Sequence, residues 1–190
     1  MDVVDDAFYS IVQSNGTNRF TLTTRLAQML PEIETLFGQR DLKYTLCGIE
    51  LFDSVPHVWF PMRPTNIVVR LNYGNRNNLY GLLHELAHEV VHLLDPVYPP
   101  ARANYLEEGM ATWYSADFCG RHLGGKPPRP GGNYGKALEA YEKLHAICPT
   151  IIKDIRATGV RVNDIRAERL VTASSACPKD LAEELCATMP

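Results

Sequence analysis

The sequence has no apolar run that approaches the length of a membrane span, which takes about 18 consecutive apolar residues. It also has no basic, apolar leader, because residues 1–6 read MDVVDD and are acidic where a secretory signal peptide is basic. We therefore expect a cytoplasmic protein without a membrane partner.

Cysteine pairs with the spacing of a metal or redox site are missing as well. The chain has five cysteines, an odd number, and no two of them form a Cys-x-x-Cys pattern. This argues against a complete disulfide framework and against a cysteine zinc site. We expect reduced thiols in the core at Cys47, Cys119, Cys148, Cys177 and Cys186.

An excess of positive charge is also missing, because 19 lysines and arginines face 22 aspartates and glutamates. There is no basic stripe and no long charged run, so nucleic-acid binding is not indicated. The composition, 45% hydrophobic and 22% charged, is ordinary for a globular protein, and 190 residues are enough to bury one core. We predict one domain over residues 1–190 and leave its oligomeric state open.

What the sequence does contain is a histidine-rich segment at residues 84–92, which reads HELAHEVVH and holds two overlapping His-Glu-x-x-His patterns. On a helix, residues four apart lie about 40° apart around the axis and roughly 6 Å apart along it. Two such imidazoles can bind one metal ion, and the glutamate after the first histidine then lies beside the metal, where it can act as a general base.

A catalytic zinc site takes three protein ligands and leaves one position open for water. The nearest acidic pair after the histidines lies in residues 107–111, which read EEGMA. Together the two segments resemble the gluzincin group of zinc metallopeptidases, whose third ligand is the Glu of an N/E-E-G-x-A motif on the next helix. The resemblance covers roughly residues 79–118. It implies Zn²⁺ as cofactor, Glu108 as third ligand and a peptide or protein as substrate, with Glu107 better interpreted as a helix cap.

The overlap leaves two registers open. In the first register His84 and His88 bind the metal and Glu85 is the base; in the second, His88 and His92 bind it and Glu89 is the base. His84 and His92 lie about 80° apart around a helix and roughly 12 Å apart along it, so they cannot share one ordinary site.

Family spacing supports the first register. His88 precedes Glu108 by twenty positions, which is close to the gluzincin norm, and a small residue, Ala87, stands just before the second histidine of this copy.

Helix boundaries support the second register, which we favour. Asp95-Pro96 predicts that the first helix ends near Leu94. Asn104 and Glu107 predict a capping box that opens the next helix, so Glu108 lies within its first turn. In an antiparallel pair its partners should then lie about one turn before the end of the preceding helix.

The rest of the chain predicts an α+β, zincin-like fold, mainly helical, with a small mixed β-sheet packed on the metal-binding helix. Strand composition appears in three runs, at residues 43–52, 57–60 and 66–71. Helical patterns cover residues 23–37, with a kink or a restart at Pro31, and residues 134–147, 149–157 and 178–189.

Three further features bear on substrate binding. We expect residues 66–71 to form the sheet edge that holds an extended substrate. Residues 124–132, rich in Gly and Pro, form an exposed loop that is either a connector or a flap beside the cleft. The side chains that could assist at the oxyanion, unranked by the sequence, are Tyr98, Tyr114, His122 and His145.

These features predict a zinc-dependent peptidase. The alternatives are a non-catalytic zincin-like module that binds a protein partner, a metallohydrolase acting on a non-peptide amide, and a purely structural histidine face. A di-iron carboxylate site is disfavoured because its Glu-x-x-His elements lie on two helices, whereas both copies here share one.

Overall fold

The fold is α+β and mainly helical in the computed structural model, which describes residues 10–12, 19–99 and 101–190. The strands are β1 (Ser10–Val12), β2 (Arg19–Thr21), β3 (Thr45–Phe52), β4 (His57–Trp59) and β5 (Asn66–Asn72). The helices are α1 (Leu22–Phe37), α2 (Leu79–His92), α3 (Tyr105–His122), α4 (Gly132–Ile147), α5 (Ile151–Arg156), α6 (Ala167–Ala173) and α7 (Lys179–Cys186). The short α6 and the β1–β2 pair were not anticipated from the sequence.

Strands β3, β4 and β5 form a mixed sheet in the order β3-β5-β4. β5 is parallel to β3 and antiparallel to β4, with Val69 opposite both Ile49 and Val58. The prediction that residues 66–71 form the edge is therefore wrong, because β5 is central. Its nearly continuous apolar run is typical of a strand covered on both faces, and Val68 and Val69 are both buried. Among the described residues β4 pairs on one side only, so it is an edge strand.

Of the kink or restart expected at Pro31, the restart does not occur, because helix α1 continues through Pro31 as one element. It begins at a capping box in which Thr21 and Thr24 each accept a hydrogen bond from the other's backbone N–H. It ends at Gly38, whose φ of 94° lies in the region that favours glycine. The packing of one buried face, which includes Met29 and Ile33, holds the helix through the proline.

Helices α2 and α3 pack side by side and carry the histidine and EEG segments. Asn78 caps α2 by accepting from Gly81 N at 3.1 Å, and Asn104 caps α3 by accepting from Glu107 N at 2.9 Å. α2 ends at His92, two residues before the predicted end. Both helices turn a buried apolar face to the core, and the sheet packs on α2 through β5.

Gly109 lets α4 approach α3 closely. A Cβ atom at this position would lie 2.5 Å from the carbonyl oxygen of Ala137 and 2.7 Å from Cβ of Tyr141. The close packing of α4 on α3 therefore requires a glycine at this position of the EEG segment. The absence of a side chain at Gly109 lets α4 lie close to the region beside Glu108.

A buried ion pair connects the end of α5 to the segment that follows α2. Arg156 Nε lies 3.1 Å from Asp95 Oδ2, and both side chains are almost fully buried. The same guanidinium donates to the carbonyl oxygens of Phe37 and Gly38 at 2.9 and 2.7 Å. It thereby joins the end of α1 to the end of α2, and its five donors suit this task.

The described cysteines are all free thiols. Cys119 and Cys177 are buried, as predicted, but Cys47 is exposed, so the prediction of a core thiol there is wrong. Cys47 lies where β3 shifts its register against β5, between Leu46 and Gly48. No helix in the described part of the chain is long and apolar enough to cross a membrane.

Candidate metal centre

Two imidazoles on α2 and one carboxylate on α3 converge on a common point. His88 Nε2 lies 3.3 Å from Glu108 Oε2, and His92 Nε2 lies 3.9 Å from the same oxygen. The two rings are 5.2 Å apart between centroids. The four-residue spacing on α2 and the position of Glu108 in the first turn of α3 bring these atoms together.

This donor set fits a zinc ion. Two neutral imidazoles and one carboxylate form one of the ligand sets of catalytic zinc. Glu108 Oε2 is buried and has no hydrogen-bond partner among the described residues. A buried carboxylate oxygen without a partner is costly, and a cation bound between it and the two Nε2 atoms removes that cost.

Glu107 fixes the orientation of the His92 ring through a hydrogen bond with Nδ1, the ring nitrogen that does not face Glu108. His92 Nδ1 lies 2.8 Å from Glu107 Oε1, and residue Glu107 is only 2% exposed. A carboxylate oxygen can only accept, so Nδ1 carries a proton, and when the ring is neutral Nε2 is left to bind a cation beside Glu108. The side chain of Glu107 is therefore no helix cap, and that prediction is wrong; its backbone N–H is the capped group.

Charge is concentrated at this point. Burial acts to lower the pKa of His92, but the carboxylates of Glu108 and Glu107 outweigh it and raise that pKa to about 10. Burial acts to raise the pKa of Glu108, yet His92 and His88 leave it below its ordinary value. The strong negative potential that favours a proton on His92 equally favours a metal cation.

Glu89 lies beside the same histidines. One ligating atom from each of His88, Glu89 and His92 falls within 4.8 Å of the others. Glu89 is 4% exposed, and burial raises its pKa although the two histidines act to lower it. A carboxylate with a raised pKa holds a proton more readily near neutral pH, which suits a general base.

The first-register residues take other partners. His84 Nε2 lies 3.4 Å from Ser115 Oγ, and Glu85 accepts from Asn72 N at 2.9 Å and from the side-chain amide of Asn75. The structure thus brings together His88, His92 and Glu108 and leaves His84 one helical turn away.

A cleft of about 540 Å³ opens beside the centre. His84, Glu85, His88 and Glu89 of α2 line it, whereas His92 and Glu108 are not among its lining residues in the described part of the chain. Much of the remaining lining is apolar, and it includes Val55, Pro56, Trp113, Pro127 and Leu138.

The loop of residues 124–131 forms part of the cleft wall through Lys126, Pro127, Pro128, Arg129 and Pro130. It is tied at both ends, because Tyr80 Oη donates to the Gly125 carbonyl oxygen at 3.1 Å and Arg129 pairs with Glu142.

None of the four side chains suggested for the oxyanion lines this cleft. Tyr114 is buried and donates to Glu32 at 3.1 Å, while Tyr98 packs its ring on Phe60. His122 packs on Phe118, and His145 packs on Trp113 and Tyr141.

The tyrosine that does line the cleft is Tyr134, in the first turn of α4. Its ring packs edge-on against His88, with centroids 5.9 Å apart. Burial and the nearby carboxylates of Glu108 and Glu89 raise its pKa, so the hydroxyl remains a donor. The sequence does not single out Tyr134, because its position depends on how α4 packs across α3.

Comparison with protein-family models, with curated proteins and with solved structures finds no match to this chain.

Proposed function

We propose that this protein is a zinc-dependent peptidase of zincin-like fold, in which His88, His92 and Glu108 bind the metal and Glu89 is the general base. The observation that carries the proposal is the convergence of two Nε2 atoms on one buried carboxylate oxygen that forms no hydrogen bond with the described residues. One of the three side chains, His88, also lines a cleft large enough for several peptide atoms, and the buried carboxylate of Glu89 lines the same cleft.

When bound, zinc polarises a carbonyl group and lowers the pKa of a water molecule toward about 7. Glu89 accepts the proton of the attacking water on its carboxylate and returns it to the leaving amine. Its burial supports the uptake of the proton, because burial raises the pKa of the Glu89 carboxylate above its ordinary value.

Tyr134 supplies a hydrogen bond to the carbonyl oxygen as charge develops on it. The hydroxyl is a suitable donor because the neighbouring carboxylates oppose its ionisation. A neutral donor aimed at the oxyanion stabilises the transition state more than the ground state.

The substrate backbone binds along β4. Val55 and Pro56, which directly precede this edge strand, line the cleft. An extended peptide added to a strand edge gains main-chain hydrogen bonds whatever its sequence. The apolar walls around Trp113 and Leu138 then favour a large apolar side chain next to the cleaved bond.

Digestion of an unbiased peptide library tests the proposal. We expect the zinc-loaded protein to cleave peptides, a chelator to stop cleavage, and added Zn²⁺ to restore it. A protein that retains about one zinc per chain yet cleaves no peptide contradicts the peptidase and favours the partner-binding alternative.

A further inference from the structure

A short segment after α5, residues 161–163, contacts the end of α2. Arg161 Nη2 donates to the carbonyl oxygens of Asp95 and Pro96 at 3.3 and 3.0 Å. The backbone N–H of Val162 donates to Asp95 Oδ2 at 2.9 Å. Two consecutive residues thereby hold the chain just after the histidine helix.

The third residue of the segment, Asn163, contacts the start of α3 with both halves of its amide. Its Oδ1 accepts from the backbone N–H of Asn104 at 3.1 Å. Its Nδ2 donates to Glu107 Oε2, the carboxylate oxygen that does not bind His92. A chain of side chains therefore runs from Asn163 through Glu107 to His92.

We infer that Asn163 is a positioning residue of the metal centre. The inference rests on the proposed function, since it assigns a role toward the zinc that His92 binds. The Glu107 carboxylate is buried, and its two oxygens are held by two different side chains, which fixes the plane of the group. A fixed carboxylate plane fixes the imidazole that donates to it, and so directs His92 Nε2 toward Glu108.

Removal of the Asn163 side chain would leave a buried carboxylate oxygen of Glu107 without a hydrogen bond. Glu107 Oε2 would lose its donor inside the protein, and a buried carboxylate oxygen without a partner rotates or protonates. Either change weakens the hydrogen bond to His92 Nδ1 and releases the ring from its single orientation. The effect of Asn163 on the metal is therefore indirect, because it contacts no ligand atom itself.

The two halves of the amide can be separated by substitution. Asn163→Asp keeps an acceptor for Asn104 N but replaces the donor toward Glu107 with a second carboxylate oxygen. The double variant Asn163→Asp with Glu107→Gln reverses the polarity of that bond, because the new amide donates to the new carboxylate and still accepts from His92. If Asn163 only stabilised the fold, the second substitution would not be expected to restore zinc affinity.

The test is the affinity for Zn²⁺ alone, measured by competition with a chromophoric chelator. We expect Asn163→Asp and Asn163→Ala to weaken zinc binding by roughly 10- to 100-fold, and the double variant to regain most of the loss of Asn163→Asp. The control is Asn104→Ala, which removes the α3 cap but leaves the contacts of Glu107 with Asn163 and His92. We expect it to lower the unfolding midpoint in urea with less than a threefold change in zinc affinity.

The outcomes separate two failures. A wild-type protein that binds no zinc contradicts the metal centre and with it the proposed function. A wild type that binds zinc, beside an Asn163→Asp variant within twofold of it or a double variant without rescue, overturns only the role of Asn163. If Asn163→Asp fails to fold, the comparison of Asn163→Ala with Asn104→Ala decides, and equal zinc affinity in the two overturns the inference.

Discussion

Glu108 Oε2 lies 3.3 Å from His88 Nε2, across the seam between the first turn of α3 and the last turns of α2. This contact is possible because α2 ends at His92 and the connection to α3 brings the two helices side by side. His88 belongs to both overlapping patterns, so its partner on α3 defines the centre.

His88→Ala should abolish zinc binding, since two ligands of different helices rarely hold the ion alone. Elemental analysis of the purified protein should give about one zinc per chain for wild type and none for the variant. His122→Ala is the matched control, because this histidine packs on Phe118 away from the centre and should leave the zinc content unchanged. Full zinc content in His88→Ala would place the metal elsewhere.

Tyr134→Phe should keep the zinc but lower kcat on a cleaved peptide by roughly 100-fold, which is typical for the loss of one oxyanion donor. KM should change little, because the ring and its packing on His88 remain. Steady-state kinetics measures both constants. Tyr73→Phe, an exposed tyrosine outside the cleft, is the control. Equal kcat for wild type and Tyr134→Phe contradicts the assigned role.

Gly109→Ala should destabilise the protein by about 1–3 kcal/mol, because the added methyl group meets backbone and Cβ atoms of α4 that cannot move freely. Urea unfolding measures the change. Gly125→Ala is the matched control, since a Cβ there meets no atom within 4 Å. A Gly109→Ala protein as stable as the control would show that α4 does not press on α3 at this point.

Arg156→Met should lower the free energy of unfolding by about 3–5 kcal/mol, because it leaves Asp95 as a buried charge without its partner. The exposed pair of Lys143 and Glu139 offers a contrast, and Lys143→Met should change stability little. Both values come from the same urea titration. A loss for Arg156→Met no larger than that for Lys143→Met would contradict a buried network.

Local patterns predicted the elements well. The three strands and the helices around the centre lie within a few residues of the predicted bounds, because their composition and caps are local signals. The Asp95-Pro96 break and the Asn104 cap likewise anticipated that Glu108 lies beside His88.

Long-range contacts explain what the sequence could not predict. Asn163 reaches Glu107 across 56 positions, and Arg156 reaches Asp95 across 61. The central place of β5 depends on which strands pair, and the place of Tyr134 depends on how closely α4 packs on Gly109. No local pattern encodes these distances.

The central claim is that Glu89, and not Glu85, is the base of a zinc centre formed by His88, His92 and Glu108. The most direct test is to measure zinc content and turnover in Glu89→Gln and Glu85→Gln side by side. We predict that Glu89→Gln keeps about one zinc and loses nearly all turnover, since the amide is similar in shape but takes no proton. Glu85→Gln should keep its zinc and most of its turnover. Loss of turnover in Glu85→Gln with an active Glu89→Gln would contradict the account and assign the chemistry to His84, Glu85 and His88.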